Sequence, residues 1–520
     1  MAKKAAPLST KIAEALKSAK AAANGGHVFK LGTLSRTEQT TLKKGNWVFP
    51  IYSGWYALLN PSSTKTGDTI AFFSNYWEFV QKYLAEHYGQ DYVLSPANSL
   101  LLQTEDNSIP KQLHVNIGKT TYNKISLPFD TSIFISKGSE DEIRRAQTRD
   151  NLRLLSLEAS LTAMPPNFFR QSSPSLEAAI LSVRNISLLS HILIEKREQT
   201  TAGRITSCFK KIGRDKDAAM IEKAFEAAGL QLKTEDLEPK FGSLRLVRKS
   251  AIGARLSHMW LRHSQELERL LENWPEAAGN PDKFYKRPFG DVDQKMDSLY
   301  SNDAYNSLSI EGYSVTDELI TRIGRGEFDP HNNPNDRSQV DAMAALGYHD
   351  AFLLVKESLR KIHTGGDLNQ ILFEDLSEWR VALFKHSAQA FGRSTASLIG
   401  YRNSSIYIRD SHHVPPSQHS LMDAMESFQE LYSSEHHPFK RAVLSHHVQV
   451  YVHPYLDGNG RTARFLLNVS LVSGGLPWAV IPKEKKLEYF AALEAAHTGQ
   501  GIEKFAEFIY RLMTLQTAKF

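Results

Sequence analysis

Residues 453–464 read His453-Pro454-Tyr455-Leu456-Asp457-Gly458-Asn459-Gly460-Arg461-Thr462-Ala463-Arg464, and this stretch decides how the C-terminal half of the chain is built. Ahead of it, Ala442, Val443, Val450 and Val452 lie on an expected helix. A residue before proline is pushed out of the helical region, so that helix should stop at His453. Gly458, Asn459 and Gly460 tolerate positive φ, and a helix starting near Arg461 would point its free N–H groups back into the turn. Such a turn is a nest for anions, because successive main-chain donors and the helix dipole both favour negative charge. Arg461 and Arg464 share a helical face, where each guanidinium can fork onto phosphate oxygens. Asp457 is the lone carboxylate among these groups. Beside bound phosphate it calls for a cation, and Mg²⁺ favours one or two carboxylates with phosphate oxygens and water. His453, whose ordinary pKa lies near neutrality, can accept a proton from an attacking hydroxyl. Together the residues suit transfer from a nucleotide to a hydroxyl.

Working outward, helical periodicity predicts helices near residues 339–361, 373–388, 420–431, 438–452, 461–472 and 485–496, with further helical segments between Arg287 and Ile323. The turn signals Gly279-Asn280-Pro281 and the Asp/Asn/Pro-rich residues 324–334 punctuate this half. The N-terminal half is mixed α/β: helices are expected over residues 11–22 and 36–44, β-rich runs at Trp47-Val48 and residues 54–58, strands at 112–117 and 131–135, and mostly helix from 139 to 233. The fold class expected is mainly α. Five segments are read: 1–65, 66–150, 151–245, 246–335 and 336–520.

At 520 residues, with 41% hydrophobic and 23% charged residues, the composition is that of a modular globular protein, and no run of about 18 apolar residues suggests a membrane span. The basic N-terminus has no apolar stretch behind it, so export by a signal peptide is not expected. Cys208 is the single cysteine, which excludes an intramolecular disulfide and a cysteine-built zinc site and fits a reducing cytoplasm. A net charge of +5 implies no partner by itself. His446 lies on the same helical face as His453, where a packing role is favoured over a metal site. His412, His413, His436 and His437 have no partners at ligand spacing.

The stretch at 453–464 matches the Fic signature His-x-Phe-x-[Asp/Glu]-Gly-Asn-Gly-Arg-x-x-Arg at every specified position except Tyr455, where Phe is usual. From about Ser250 onward the chain resembles long Fic proteins, including at Asp303-Ala304-Tyr305 and Gly475-Leu476-Pro477-Trp478. The resemblance implies a C-terminal Fic-type helical bundle and transfer of AMP from ATP to a Ser, Thr or Tyr hydroxyl of a protein target. It implies His453 as general base, Asp457 as Mg²⁺ ligand, Gly458, Asn459, Gly460 and Arg461 as the cradle of the α- and β-phosphates, and Arg464 as the γ-phosphate contact. Residues 400–416 look like the family's flap, a β-hairpin that pairs with the target segment, with Tyr407 and Ile408 facing the target or the nucleotide. Ser307-Leu308-Ser309-Ile310-Glu311-Gly312 matches the inhibitory pattern [Ser/Thr]-x-x-x-Glu-[Gly/Asn], in which Glu311 would hold Arg464 in place of the γ-phosphate. Within the same family another donor, such as UMP, GMP, phosphate or phosphocholine, or removal of AMP from a target, stands as the alternative.

The N-terminal half is similar to antitoxin-like winged-helix modules of the abortive-infection type, through the Gly-x-Trp-Tyr hairpin and through residues 202–205 and 212–214. In the first fifty residues Lys and Arg outnumber the acids Glu14 and Glu38, so DNA is a candidate partner and the chain a candidate autoregulator. A small α/β cap with solvated lysines is the competing reading. A homo-oligomer is also a candidate.

Overall fold

Ser35 starts the helix Arg36–Lys44 through a capping box with Glu38, and Gly45 ends it. The helix Leu8–Ala23 precedes it. The strands Val28–Lys30, Trp55–Leu58 and Val48–Tyr52 lie side by side in that order, all antiparallel. The strand Val28–Lys30 was not expected from the sequence. A second sheet runs Tyr92–Leu94, Gln112–Ile117, Ser132–Lys137, Asn123–Ser126 in space, and its central pair is parallel. Leu113, Val115, Ile117, Ile133 and Ile135 recur every second residue and are buried, the pattern of a sheet with one face against a core. Helices between Leu157 and Ala227 then enclose a separate core around Phe169, Leu189, Ile205, Phe209 and Phe225. Cys208 lies in that core, where burial pushes its thiol up to about 12 and removes it from nucleophilic chemistry.

This computed structural model describes residues 8–59, 69–119, 122–170, 174–233, 250–328, 340–390 and 399–517. The chain divides into two units, one of Met1–Phe241 with Ile406–Val414, the other of Gly242–Ser405 with Pro415–Phe520. The segments 1–65, 66–150 and nearly all of 151–245 thus fall in the first unit, and 246–335 and 336–520 in the second apart from Ile406–Val414.

The described residues of the second unit are helical or irregular, without a strand. Its centre is the pair of helices Pro438–Val452 and Asn459–Ser473. Ala442, Val443, Leu444, Val448 and Val452 on the first, and Ala463, Phe465, Leu466, Leu467, Val469 and Leu471 on the second, are wholly buried. Each large aliphatic among them contributes about 1.5–3 kcal/mol relative to exposure. The turn between the two helices is therefore anchored at both ends by packing. Helices Ala251–Leu271, Phe289–Glu311, Val340–His363, Leu368–Ala390, Leu421–Ser434 and Lys486–His497 surround the pair. The last helix, Glu503–Thr517, was absent from the sequence reading, yet Phe505, Ile509 and Met513 sit in the same core. Among the described residues no single helix is long and apolar enough to cross a membrane.

The β-hairpin expected over residues 400–416 is not formed; the segment holds no strand. The carbonyls a hairpin would pair are used otherwise. Those of Ser404 and Pro416 accept from the Arg402 guanidinium, and that of His412 accepts from the Ile109 N–H at 2.9 Å. Within the first unit Val414 belongs to the core beneath the second sheet, Tyr407 packs against that core, and Asp410 and Thr69 exchange two hydrogen bonds.

Candidate active site

The helix Pro438–Val452 ends as the His-Pro dipeptide requires, and His453 takes the left-handed conformation at φ 48° and ψ 57°. Its Nδ1 lies 3.1 Å from the Val450 carbonyl oxygen. A carbonyl can only accept, so Nδ1 carries the hydrogen and Nε2 keeps the lone pair. Burial lowers the imidazole pKa to about 4; the Val450 carbonyl opposes this, the Arg402 charge adds to it, and Glu311 and Asp457 oppose it more weakly. His453 is thus neutral at physiological pH, with Nε2 ready to accept a proton.

The turn that follows is built by Asn459. Its amide oxygen accepts from the Tyr455 N–H at 3.1 Å and its amide nitrogen donates to the Tyr455 carbonyl at 2.8 Å. The Asn459 side chain therefore closes the loop, and what the residue can offer an anion is its main-chain N–H. Gly458 stands at φ 80°, where a Cβ would also meet the Phe384 ring at 2.9 Å. The helix Asn459–Ser473 begins directly after it, so its first N–H groups face the turn.

Asp457 accepts at Oδ1 from the Gly458 N–H at 2.5 Å and from Arg461 Nη2 at 3.1 Å, and half of its side chain remains accessible. Arg461 is 1% exposed and lies over the rings of Phe384 and Tyr313, with centroids 5.0 and 5.3 Å away. A cation at Asp457 would find one carboxylate. No group of three His, Cys, Asp or Glu among the described residues is placed to hold a metal ion, so further ligands would be phosphate oxygens and water. That donor set fits Mg²⁺ better than zinc.

Ser307 and Glu311 meet the second arginine as the inhibitory pattern implied. Arg464 Nε donates to Ser307 Oγ at 2.8 Å, and Nη2 donates to the Ser307 carbonyl at 3.1 Å and to Glu311 Oε1 at 2.7 Å. Burial works to raise the Glu311 carboxyl, but the Arg464 and Arg461 charges outweigh it and hold it below its ordinary value. The carboxylate also sits over Gly460, where a Cβ would come within 2.5 Å of Oε1. An acid thus lies directly over the turn. Its helix, Phe289–Glu311, is fixed one and two turns back: buried Asp303 accepts from Tyr348 Oη at 2.6 Å and from Trp478 Nε1 at 2.9 Å, and Asn306 Oδ1 accepts from the Lys483 N–H.

Several supporting residues carry no sequence signal of their own. Arg380, wholly buried on the helix Leu368–Ala390, lies 3.4 Å from the centroid of the Tyr455 ring, and its Nη1 donates to the Asp457 carbonyl at 3.1 Å. This contact gives the aromatic at position 455 its place. Arg402 donates through Nε to the His453 carbonyl at 2.9 Å. His446 is no metal ligand with His453: its Nε2 pairs with Tyr489 Oη at 2.9 Å, and burial lowers it to about 3. Tyr407, expected at the nucleotide or target, instead spends its ring on the first unit's core, and the Ile408 carbonyl accepts from Ser411 N–H in a turn of the same segment.

The second unit thus brings an imidazole, a carboxylate and two arginines around one turn, with the Glu311 carboxylate from an upstream helix over it. Residues 366–471 match the model of the Fic/DOC family. The chain is similar to the protein adenylyltransferase Fic of Drosophila erecta, 26% identical over 395 residues, which cover 70% of this chain and 72% of that one. It is 30% identical over 238 residues to the protein of the same name from Nematostella vectensis, covering 44% of this chain and about half (51%) of that one. The solved fragment of Fic-1 from C. elegans aligns with 70% of this chain and 90% of its own at 17% identity and a TM-score of 0.37. The comparisons give no support to the similarity of the N-terminal half to antitoxin-like modules.

Proposed function

We propose that this chain is a Mg²⁺-dependent protein adenylyltransferase that Glu311 holds inactive. The observation that carries the reading is the Glu311 carboxylate bound to Arg464 above Gly460, an acid standing where a phosphate of ATP would have to go. The names of the relatives support the AMP group as cargo. In the reaction, a Ser, Thr or Tyr hydroxyl of the target attacks the α-phosphorus of ATP. The bond from that phosphorus to the bridging oxygen breaks, pyrophosphate leaves, and the hydroxyl proton passes to His453 Nε2. The N–H groups of the turn and Arg461 bind the α- and β-phosphates, and Arg464 takes the γ-phosphate once Glu311 releases it. Asp457 would hold Mg²⁺, which would offset the charge of the phosphates.

The test is labelling of the full chain with ATP carrying a tagged α-phosphate. Glu311→Gly should raise AMP incorporation and Glu311→Gly/His453→Ala should remove it. Equal labelling in both variants overturns the assignment, and UTP, GTP and CDP-choline run in parallel show whether another group is the cargo.

A further inference from the structure

Ser404 and Pro416 flank the points where the chain leaves the second unit at Ser405 and re-enters it at Pro415. Arg402 holds both. Nη1 donates to the Ser404 carbonyl at 2.9 Å and Nη2 to the Pro416 carbonyl at 2.5 Å. The same guanidinium reaches the base: Nε donates to the His453 carbonyl at 2.9 Å and Nη2 to that of Val452 at 3.5 Å, while the Arg402 main-chain N–H donates to the Pro454 carbonyl at 2.9 Å. The residue is 2% exposed. A planar fork of five donors can serve three chain segments at once, which a lysine cannot. His453 needs such a clamp, because a residue with a β-carbon stays in the left-handed region only when its surroundings hold it there.

We propose that Arg402 is a positioning residue that ties the carbonyls of Val452 and His453 to those of Ser404 and Pro416, so that the base is correctly aimed only while this clamp is made. The inference rests on the adenylyltransferase reading for its kinetic arm. The Arg402 charge also faces the imidazole, together with those of Glu311 and Asp457, and it favours the neutral ring.

The experiment uses the full chain in the Glu311→Gly background. Arg402→Lys should lower kcat by about tenfold to a hundredfold, the effect of a misaimed base, with KM for ATP within about twofold. Arg402→Met should lower it at least as far and also raise the His453 pKa, read from the imidazole NMR titration, because a positive charge has been removed. Unchanged kcat in Arg402→Lys, or losses that track ATP affinity or melting temperature, would each overturn the clamp. The His453 titration does not depend on turnover. If Glu311→Gly fails to label but Arg402→Lys, which keeps the charge, still displaces the His453 resonances, the adenylyltransferase reading falls and the clamp stands.

Discussion

Glu311 Oε1 lies 2.7 Å from Arg464 Nη2 and directly over Gly460, so one carboxylate both neutralises the second arginine and fills the space beside the turn. Ser307, one turn back on the same helix, takes the other edge of that guanidinium. On the proposed function, inhibition is a two-residue grip whose halves can be separated.

Ser307→Ala deletes the side-chain acceptor and leaves the Ser307 carbonyl and Glu311 in place. A hydrogen bond to a charged group contributes about 1.5–3 kcal/mol. AMP incorporation should rise in Ser307→Ala, but less than in Glu311→Gly, and the melting temperature should fall. Labelling at or above the Glu311→Gly level would place the restraint in Ser307 instead.

The two glycines of the turn should respond differently to alanine. At Gly458 a β-carbon meets positive φ and the Phe384 ring together, so Gly458→Ala should cost about 1–3 kcal/mol of stability and abolish labelling. At Gly460 the obstacle is the movable end of Glu311. Gly460→Ala should keep the melting temperature close to the parent yet depress labelling in the Glu311→Gly background, because the methyl enters the phosphate site. Thermal denaturation and labelling of the two variants, side by side, check this.

Arg380 holds the Asp457 carbonyl while its guanidinium covers Tyr455. Arg380→Lys retains charge but loses the flat contact and the directed donor. The Mg²⁺ concentration for half-maximal labelling should then rise about tenfold, the equivalent of one such hydrogen bond, with the signature residues untouched. A Mg²⁺ titration of Arg380→Lys in the Glu311→Gly background measures it.

Two buried imidazoles set an acid limit on the fold. His453 titrates at about 4 and His446 at about 3 in the folded chain, against an ordinary value of 6.5, because burial disfavours their charged forms. Above about pH 6.5 neither affects stability; as pH falls from there toward about 4 and then 3, the unfolded chain takes up protons that the folded one refuses, and stability drops. His446→Gln, which can still pair with Tyr489, should flatten the fall in melting temperature between pH 7 and pH 4. Labelling by Glu311→Gly should show no acid limb centred near 6.5, since the base remains neutral well below it.

How much of this was legible in the sequence follows from how local each device is. The turn from His453 to Arg464 is written in consecutive residues: proline stops a helix, glycine permits φ 80°, and the next helix supplies donors. Ser307 and Glu311 were legible through the family resemblance, whose inhibitory pattern spaces them four residues apart on one helical face. Arg380 and Arg402 were not, because their partners are main-chain carbonyls distant in the chain, which leave no side-chain pattern. The expected hairpin failed for a related reason. The family resemblance implied the hairpin, but the Arg402 guanidinium takes the Ser404 and Pro416 carbonyls, and Val414 and Tyr407 pack with another core. The Asn459 amide could equally have faced a phosphate or its own loop, and residue identity does not distinguish the two.

Tyr407 and Val414 complete the interior of the first unit, although they are made long after its other residues. As the chain emerges from the ribosome, the N-terminal unit therefore reaches the solvent with part of its interior still untranslated. It can finish folding only after synthesis has passed residue 414, and the catalytic helices Pro438–Val452 and Asn459–Ser473 come later still. The order of manufacture thus brings out His453 and the turn after it only once the N-terminal unit's interior is fully translated.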